Sequence, residues 1–207
     1  MIENNIYETN KYVQSLSSKQ RKLFFTAIDL FASKGFAKTS TAEISATAHV
    51  SEGLLFKTFK NKDNLLKQII QPIALNILPP RIDMAMTESN EFNLKQFVSR
   101  YYQEKIKFVA DNEKLIEILI RETVYNPEII KTYKAVLPNN FWESTHACLD
   151  ELKVQRIIAN WDNTYLFRSL NSALVNYILR NYLFKTRLDP KRIDYTIEAT
   201  YKALRPE

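Results

Sequence analysis

Residues 51–66 read SEGLLFKTFKNKDNLL, and the residue types in this stretch suit contact with a phosphate-bearing polymer. Lys57, Lys60 and Lys62 supply cations, and Ser51 supplies a hydroxyl. Gly53 is one of only two glycines in 207 residues. It falls in the first turn of a helical pattern, where glycine costs about 1 kcal/mol against alanine. If Val50, Leu55 and Phe59 face a core, helical periodicity turns Gly53, Phe56, Lys57 and Lys60 to the opposite side. A glycine there suits close approach to another backbone, and a DNA groove wall is such a surface. A plain helical hairpin with solvated lysines fits the same pattern.

Other chemistries find little material. His49 and His146 are the only histidines, and no acid or thiol shares their helical face in the arrangement of a triad or a metal site. Cys148, two residues from His146, points elsewhere on a helix. Two glycines cannot build a phosphate-cradling loop. The expectation is a protein that is not an enzyme, with no cofactor, no catalytic residue and no metal site. The lone cysteine excludes an internal disulfide framework and suits a reducing cytosol. No signal-peptide pattern opens the chain, and no apolar run is long enough for a membrane span. A cytoplasmic location with no membrane partner is expected.

Charge is unevenly spread. The formal net charge is +6, and residues 17–67 hold nine Lys/Arg against four Asp/Glu, a local net of +5. A concentrated basic segment points to a polyanion, although a solvated basic face is the alternative.

The elements that would position these residues are helices. With two glycines and seven prolines, the chain has few of the tight turns that strands need, and an all-α fold is expected. Ser17 with Gln20 forms a capping-box pattern, followed by Leu23, Phe24, Ala27, Leu30 and Phe31 at helical spacing. Lys34–Gly35 ends that helix, with glycine as a left-handed cap. Ser40 with Glu43 is a second capping box, and Ser51 opens a third helix with Val50 and Leu55 as a hydrophobic staple. Two short helices joined by residues 49–51, after a longer supporting one, make a helix-turn-helix. Helical patterns continue through 62–77, 92–110, 113–125, 127–152, 162–184 and 190–204. A bend is expected at Pro72, and Pro138 is expected to divide its helix.

Residues 31–66, FASKGFAKTSTAEISATAHVSEGLLFKTFKNKDNLL, resemble the DNA-binding domain of the TetR family of bacterial transcriptional regulators. The resemblance rests on Phe31, Gly35–Phe36, Thr39–Ser40–Thr41, Ile44, Ala48, Val50–Ser51, Gly53, Leu55, Phe56, Phe59, Lys62, Leu65 and Leu66. It implies three regions: an arm at 1–16, a three-helix DNA-binding domain at 17–68, and a larger helical ligand-binding and dimerisation domain at 69–207. It further implies a recognition helix at 51–58 lying in the major groove. The DNA-contacting residues would be drawn from Thr39, Ser40, Thr41, Ser51, Glu52, Gly53, Leu54, Phe56, Lys57, Lys60 and Lys62. Three positions depart from the family pattern. Phe56 stands where a tyrosine usually reaches a phosphate, His49 replaces a turn glycine, and Leu54 replaces a small or polar residue. Glu52 has two readings: an acid suited to the helix dipole, or a base reader.

The remaining two thirds are rich in aromatic residues. At helical spacing these describe an ordinary core. The resemblance implies instead a small-molecule cavity, for which Tyr101, Phe108, Arg121, Tyr125, Phe141, Trp142, His146 and Tyr165 are candidates, with a largely apolar or aromatic effector. Leu166, Leu170, Ala173, Leu174 and Tyr177 form one apolar stripe, and Ile193, Ile197 and Tyr201 continue it on the last helix. Such a pair either covers its own core or, as the resemblance implies, forms a two-fold homodimer matched to a palindromic operator. The resulting expectation is a ligand-released homodimeric repressor. The alternative is a helix-turn-helix protein with a structural or cell-division role and no inducer.

Overall fold

The computed structural model describes residues 6–7, 10–77, 93–125, 131, 141–184 and 190–206, without the side chains of 74–77, 124–125 and 190–192. Among the described residues there are ten helices and no strand. They are α1 (Lys11–Ser15), α2 (Ser18–Lys34), α3 (Thr41–Ala48), α4 (Glu52–Phe59) and α5 (Lys62–Ile77), then α6 (Leu94–Asp111), α7 (Glu113–Tyr125), α8 (Phe141–Val154), α9 (Asn163–Phe184) and α10 (Pro190–Leu204). No helix among these residues is long and apolar enough to cross a membrane. The helix division expected at Pro138 lies outside the described residues.

The chain divides into two compact units, residues 1–77 with 109–137 and residues 78–108 with 138–207. The first unit is built around α2. Its apolar face, Leu23, Phe24, Ala27, Ile28 and Phe31, is fully buried together with Ile44, Leu55, Phe59, Leu65, Leu66 and Ile69. The Ser17–Gln20 capping box forms in full. The second box forms by half. The Ser40 hydroxyl accepts from the Glu43 N–H, while the Glu43 carboxylate pairs with Lys34 instead of reaching back. Ser51 makes no side-chain cap, so its exposed hydroxyl is not spent on the helix end.

Two further features of this unit depart from expectation. Gly35 closes α2 with φ 86° and ψ 155°. This is not the left-handed helical cap but an extended positive-φ region that essentially only glycine enters. The amino-terminal arm is also an anchored element. Asn10 caps α1, and Arg21 donates to the carbonyls of Val13, Gln14 and Leu16 at its far end. Tyr7 is buried edge-on to Phe24, with ring centroids 5.1 Å apart. Its hydroxyl donates to the Ile69 carbonyl at 2.5 Å, three residues before the proline inside α5.

The second unit has its own core of Leu94, Val98, Tyr101, Tyr102, Leu149, Leu152, Leu166, Leu170, Leu174 and Ile197. Two tyrosine hydroxyls are satisfied inside it. Tyr101 donates to Asn171 Oδ1 at 2.6 Å, and Tyr102 donates to the Leu170 carbonyl at 2.8 Å with Thr200 Oγ1 at 2.9 Å. Burial raises the Tyr102 pKa, partly offset by the Thr200 hydrogen bond. Lys105, drawn into the same region with its ammonium 5.7 Å from the Tyr101 ring centre, is lowered by burial to about 8.

Candidate nucleic-acid interface

The geometry of α3 and α4 starts at the turn between them. His49 takes φ 53° and ψ 44°, the left-handed conformation. Histidine enters this region less readily than glycine but more readily than most residues. The Val50 N–H then returns to the Ser45 carbonyl at 3.0 Å, closing the end of α3. From this turn α4 buries Leu55 and Phe59 and leaves the other side open. Ser51, Gly53, Phe56, Lys57 and Lys60 are all exposed, with Phe56 at 47%. A Cβ placed on Gly53 would meet nothing within 4 Å. No intramolecular packing therefore explains that glycine.

The end of α4 is strained. Lys60 has φ 67° and ψ −50°, and the Asn61 N–H bonds back two residues to the Phe59 carbonyl at 2.8 Å. This is a γ-turn of the rare, strained kind. Asn61 then caps α5, accepting from the Asn64 N–H at 2.7 Å. The turn leaves Lys60 exposed beside the open face of α4.

Several sequence candidates are engaged internally. Thr39 is buried, and its hydroxyl donates to the Gly35 carbonyl at 2.8 Å. Lys62 turns inward as well, with Nζ donating to the carbonyls of Phe36 at 2.9 Å and Thr39 at 2.7 Å and lying 4.3 Å over the Phe36 ring. Both residues secure the α2–α3 connection, and their place among surface phosphate contacts is corrected accordingly. The Thr41 hydroxyl donates to Glu52 Oε1 at 2.6 Å, joining the first residues of α3 and α4. Of the two readings of Glu52, this bond favours the structural one. Ser40 is exposed and Leu54 half-buried.

A segment of the chain, residues 25–69, matches the family model described as bacterial regulatory proteins, tetR family. Residues 25–69 are thus similar to the TetR family. Over 56 residues it is 34% identical to YvkB, an uncharacterized HTH-type transcriptional regulator of Bacillus subtilis; the match covers 27% of this chain and 30% of YvkB. The chain thus matches under a third of that curated relative's length. A TetR-family transcriptional regulator from Pseudomonas syringae pv. tomato superposes over 90% of this chain and 94% of its own, with TM-score 0.66 and 18% identity. The flavonoid-responsive regulator FrrA does so over 89% and 93%, with TM-score 0.61 and 19% identity. At these identities the two likenesses are of fold alone.

The other candidate residues fall into different surroundings. In the second unit, Phe141, Trp142 and His146 come together with Phe167, which sequence reasoning missed. The Trp142 ring lies 5.1 Å from both Phe141 and Phe167 and 6.3 Å from His146. Trp142 and His146 are exposed, so this cluster is an open patch. Tyr101 belongs to the core, Phe108 is half-buried and Tyr165 is exposed. The Tyr125 side chain lies outside the described residues. Arg121 is no pocket residue: its Nη1 donates to the carbonyls of Phe31 and Ala32 at the end of α2.

The expected dimer stripe also needs correction. Leu166, Leu170, Leu174 and Ile197 are each at most 5% exposed within the single chain. Ala173, Ile193 and Tyr201 pack partly buried against the same core, and Tyr177 is half-buried. The stripe covers its own domain. Exposed apolar residues lie elsewhere on these helices, at Val175, Leu179, Leu183 and Phe184 of α9 and at Tyr195 of α10.

Proposed function

We propose that the chain is a DNA-binding transcriptional regulator whose α4 enters the major groove of a palindromic operator. The supporting observation is the open face of α4. An energetically costly glycine with free space around it, a half-exposed phenylalanine and two exposed lysines share one surface. Glycine admits a sugar–phosphate wall, and the lysines release counterions from it. Phe56 offers apolar contact, as with a thymine methyl. In this reading residues 17–68 bind DNA and residues 69–207 carry regulation and self-association, in the cytoplasm.

A homodimer suits a two-fold operator. The exposed row Val175, Leu179 and Leu183, spaced at i, i+4 and i+8, is the surface that supports it, with Phe184 and Tyr195 also exposed. The effector would be a largely apolar or aromatic small molecule. The aromatic patch of the second unit and the flavonoid response in the name of one structural relative support that class. Release would follow if the effector favours a conformer that no longer fits the half-site spacing. Selection of bound sequences from random duplex DNA, repeated with a library of aromatic compounds, tests both parts. A recovered palindrome that a compound displaces is the expected result. A set of unrelated sequences bound regardless of compound would support an architectural role.

A further inference from the structure

The connection between α2 and α3 has no regular structure of its own, yet the polar groups of Gly35, Phe36 and Thr39 in it are held. The Gly35 N–H bonds the Phe31 carbonyl at 3.0 Å, and the Thr39 hydroxyl covers the Gly35 carbonyl. Lys62 takes the carbonyls of Phe36 and Thr39 from the α5 side. The other holds come from α7. Arg121 Nη1 donates to the Phe31 carbonyl at 3.3 Å and the Ala32 carbonyl at 3.1 Å. Its Nη2 is braced by Glu117 at 2.8 Å. Glu122, a buried carboxylate, accepts from the Phe36 N–H at 3.2 Å. A Cβ on Gly35 would stand 3.6 Å from Arg121 Nη1, so the guanidinium lies directly against the turn.

These contacts are chemically matched. A cation meets the carbonyl end of α2, where the helix dipole is negative and the last carbonyls lack helical partners. A buried carboxylate meets a backbone donor, since leaving either group unpaired would cost stability. The turn leads directly to Ser40, the cap of α3, and α3 is tied to α4 through Thr41 and Glu52. The turn is therefore linked through the start of α3 to the start of α4.

We infer that Arg121 and Glu122 are positioning residues for nucleic-acid binding: they contact no DNA but hold the α2–α3 turn, so that the seating of α7 sets how often α3–α4 is competent to bind. The inference rests on the nucleic-acid reading of α4. When only a fraction of molecules is competent, apparent affinity falls by that fraction.

The test uses the full-length chain and a duplex recovered from the random pool. Glu122→Ala removes the acceptor for the Phe36 N–H, Glu122→Gln keeps a neutral one, and Arg121→Gln removes the guanidinium. Expected are losses of about tenfold in affinity for Glu122→Ala and Arg121→Gln, with binding close to wild type for Glu122→Gln. Hydrogen exchange at the Phe36 amide should be faster in Glu122→Ala. The slope of log affinity against log salt should stay unchanged in all three. A cation lost from a phosphate contact would instead lower it by about 0.9. Wild-type affinity in both Glu122→Ala and Arg121→Gln, a reduced salt slope for Arg121→Gln, or failure of both to fold would each overturn the assignment. If the wild-type chain binds no duplex, the nucleic-acid reading itself fails, and this inference with it.

Discussion

The helix-turn-helix at 41–59 and the helix pair α9–α10 both carry amphipathic stripes, and the structure treats the two stripes differently. In α4 the stripe of Leu55 and Phe59 is buried and the opposite face is open, as the pattern requires. In α9 the stripe expected at a partner surface is also buried, within its own domain. An amphipathic helix reports that one face is covered but not what covers it. The short helices of the first unit have a single neighbouring core to face. A 22-residue helix such as α9 can serve its own core and still expose a second apolar row.

The largest expected effect breaks this comparison most directly. Leu174→Ala should cost about 2–5 kcal/mol of unfolding free energy, the range for a buried leucine. Leu183→Glu should leave stability nearly unchanged while shifting dimer to monomer. Denaturant unfolding and sedimentation of both variants check this pair. Monomers from Leu174→Ala without lost stability would restore the original stripe as the interface.

Lys62 and Lys57 sharpen the distinction between inward and outward cations. Lys62→Met should lower unfolding free energy by about 1–3 kcal/mol, because two carbonyls lose a charged donor. Lys57→Ala should leave melting unchanged but reduce the salt slope of DNA binding by about 0.9 per half-site. Equal salt slopes for wild type and Lys57→Ala would remove Lys57 from the backbone contacts.

In the second unit Lys105 should give a pH signature. Its folded pKa, lowered by burial to about 8, lies below the ordinary lysine value. Between pH 8 and 10.5 the unfolded chain therefore holds the extra proton, and stability from this group rises with pH in that window. Below pH 8 the penalty is present in full. Lys105→Met should stabilise the protein at pH 7 by about 1 kcal/mol, allowing for solvent screening, and the gain should fade by pH 10.5. A gain independent of pH would mean that packing, not charge, is responsible.

The smallest effects concern the open face of α4. Gly53→Ala should raise stability by up to about 1 kcal/mol, since its Cβ meets nothing, while weakening DNA binding. Phe56→Tyr should strengthen binding by about 1 kcal/mol on specific and non-specific duplexes alike, through a hydrogen bond to phosphate. Melting of the free protein should not change, because Phe56 is already exposed. Lowered melting without tighter binding would turn the recognition helix the other way.

What the chain determined on its own is local. The Ser17–Gln20 box, the stops at Gly35 and His49, and the apolar periodicities are set by residues within a few positions of one another, so they are legible without tertiary knowledge. The helices at 94–111, 113–125, 163–184 and 190–204 lie within two residues of the ranges expected from periodicity. Tertiary structure alone decided the partners of long, flexible or charged side chains. Lys62, by its sequence a surface cation, covers two carbonyls. Arg121, by its sequence a pocket candidate, holds the end of α2. Tyr7, within the expected arm, is core. Each choice depends on which unsatisfied backbone group lies within reach, a question settled by elements far apart in the chain: Arg121 is 90 residues from Phe31. Periodicity carries no information about such meetings, because a buried carbonyl gives no sign in the sequence of the cation that will satisfy it.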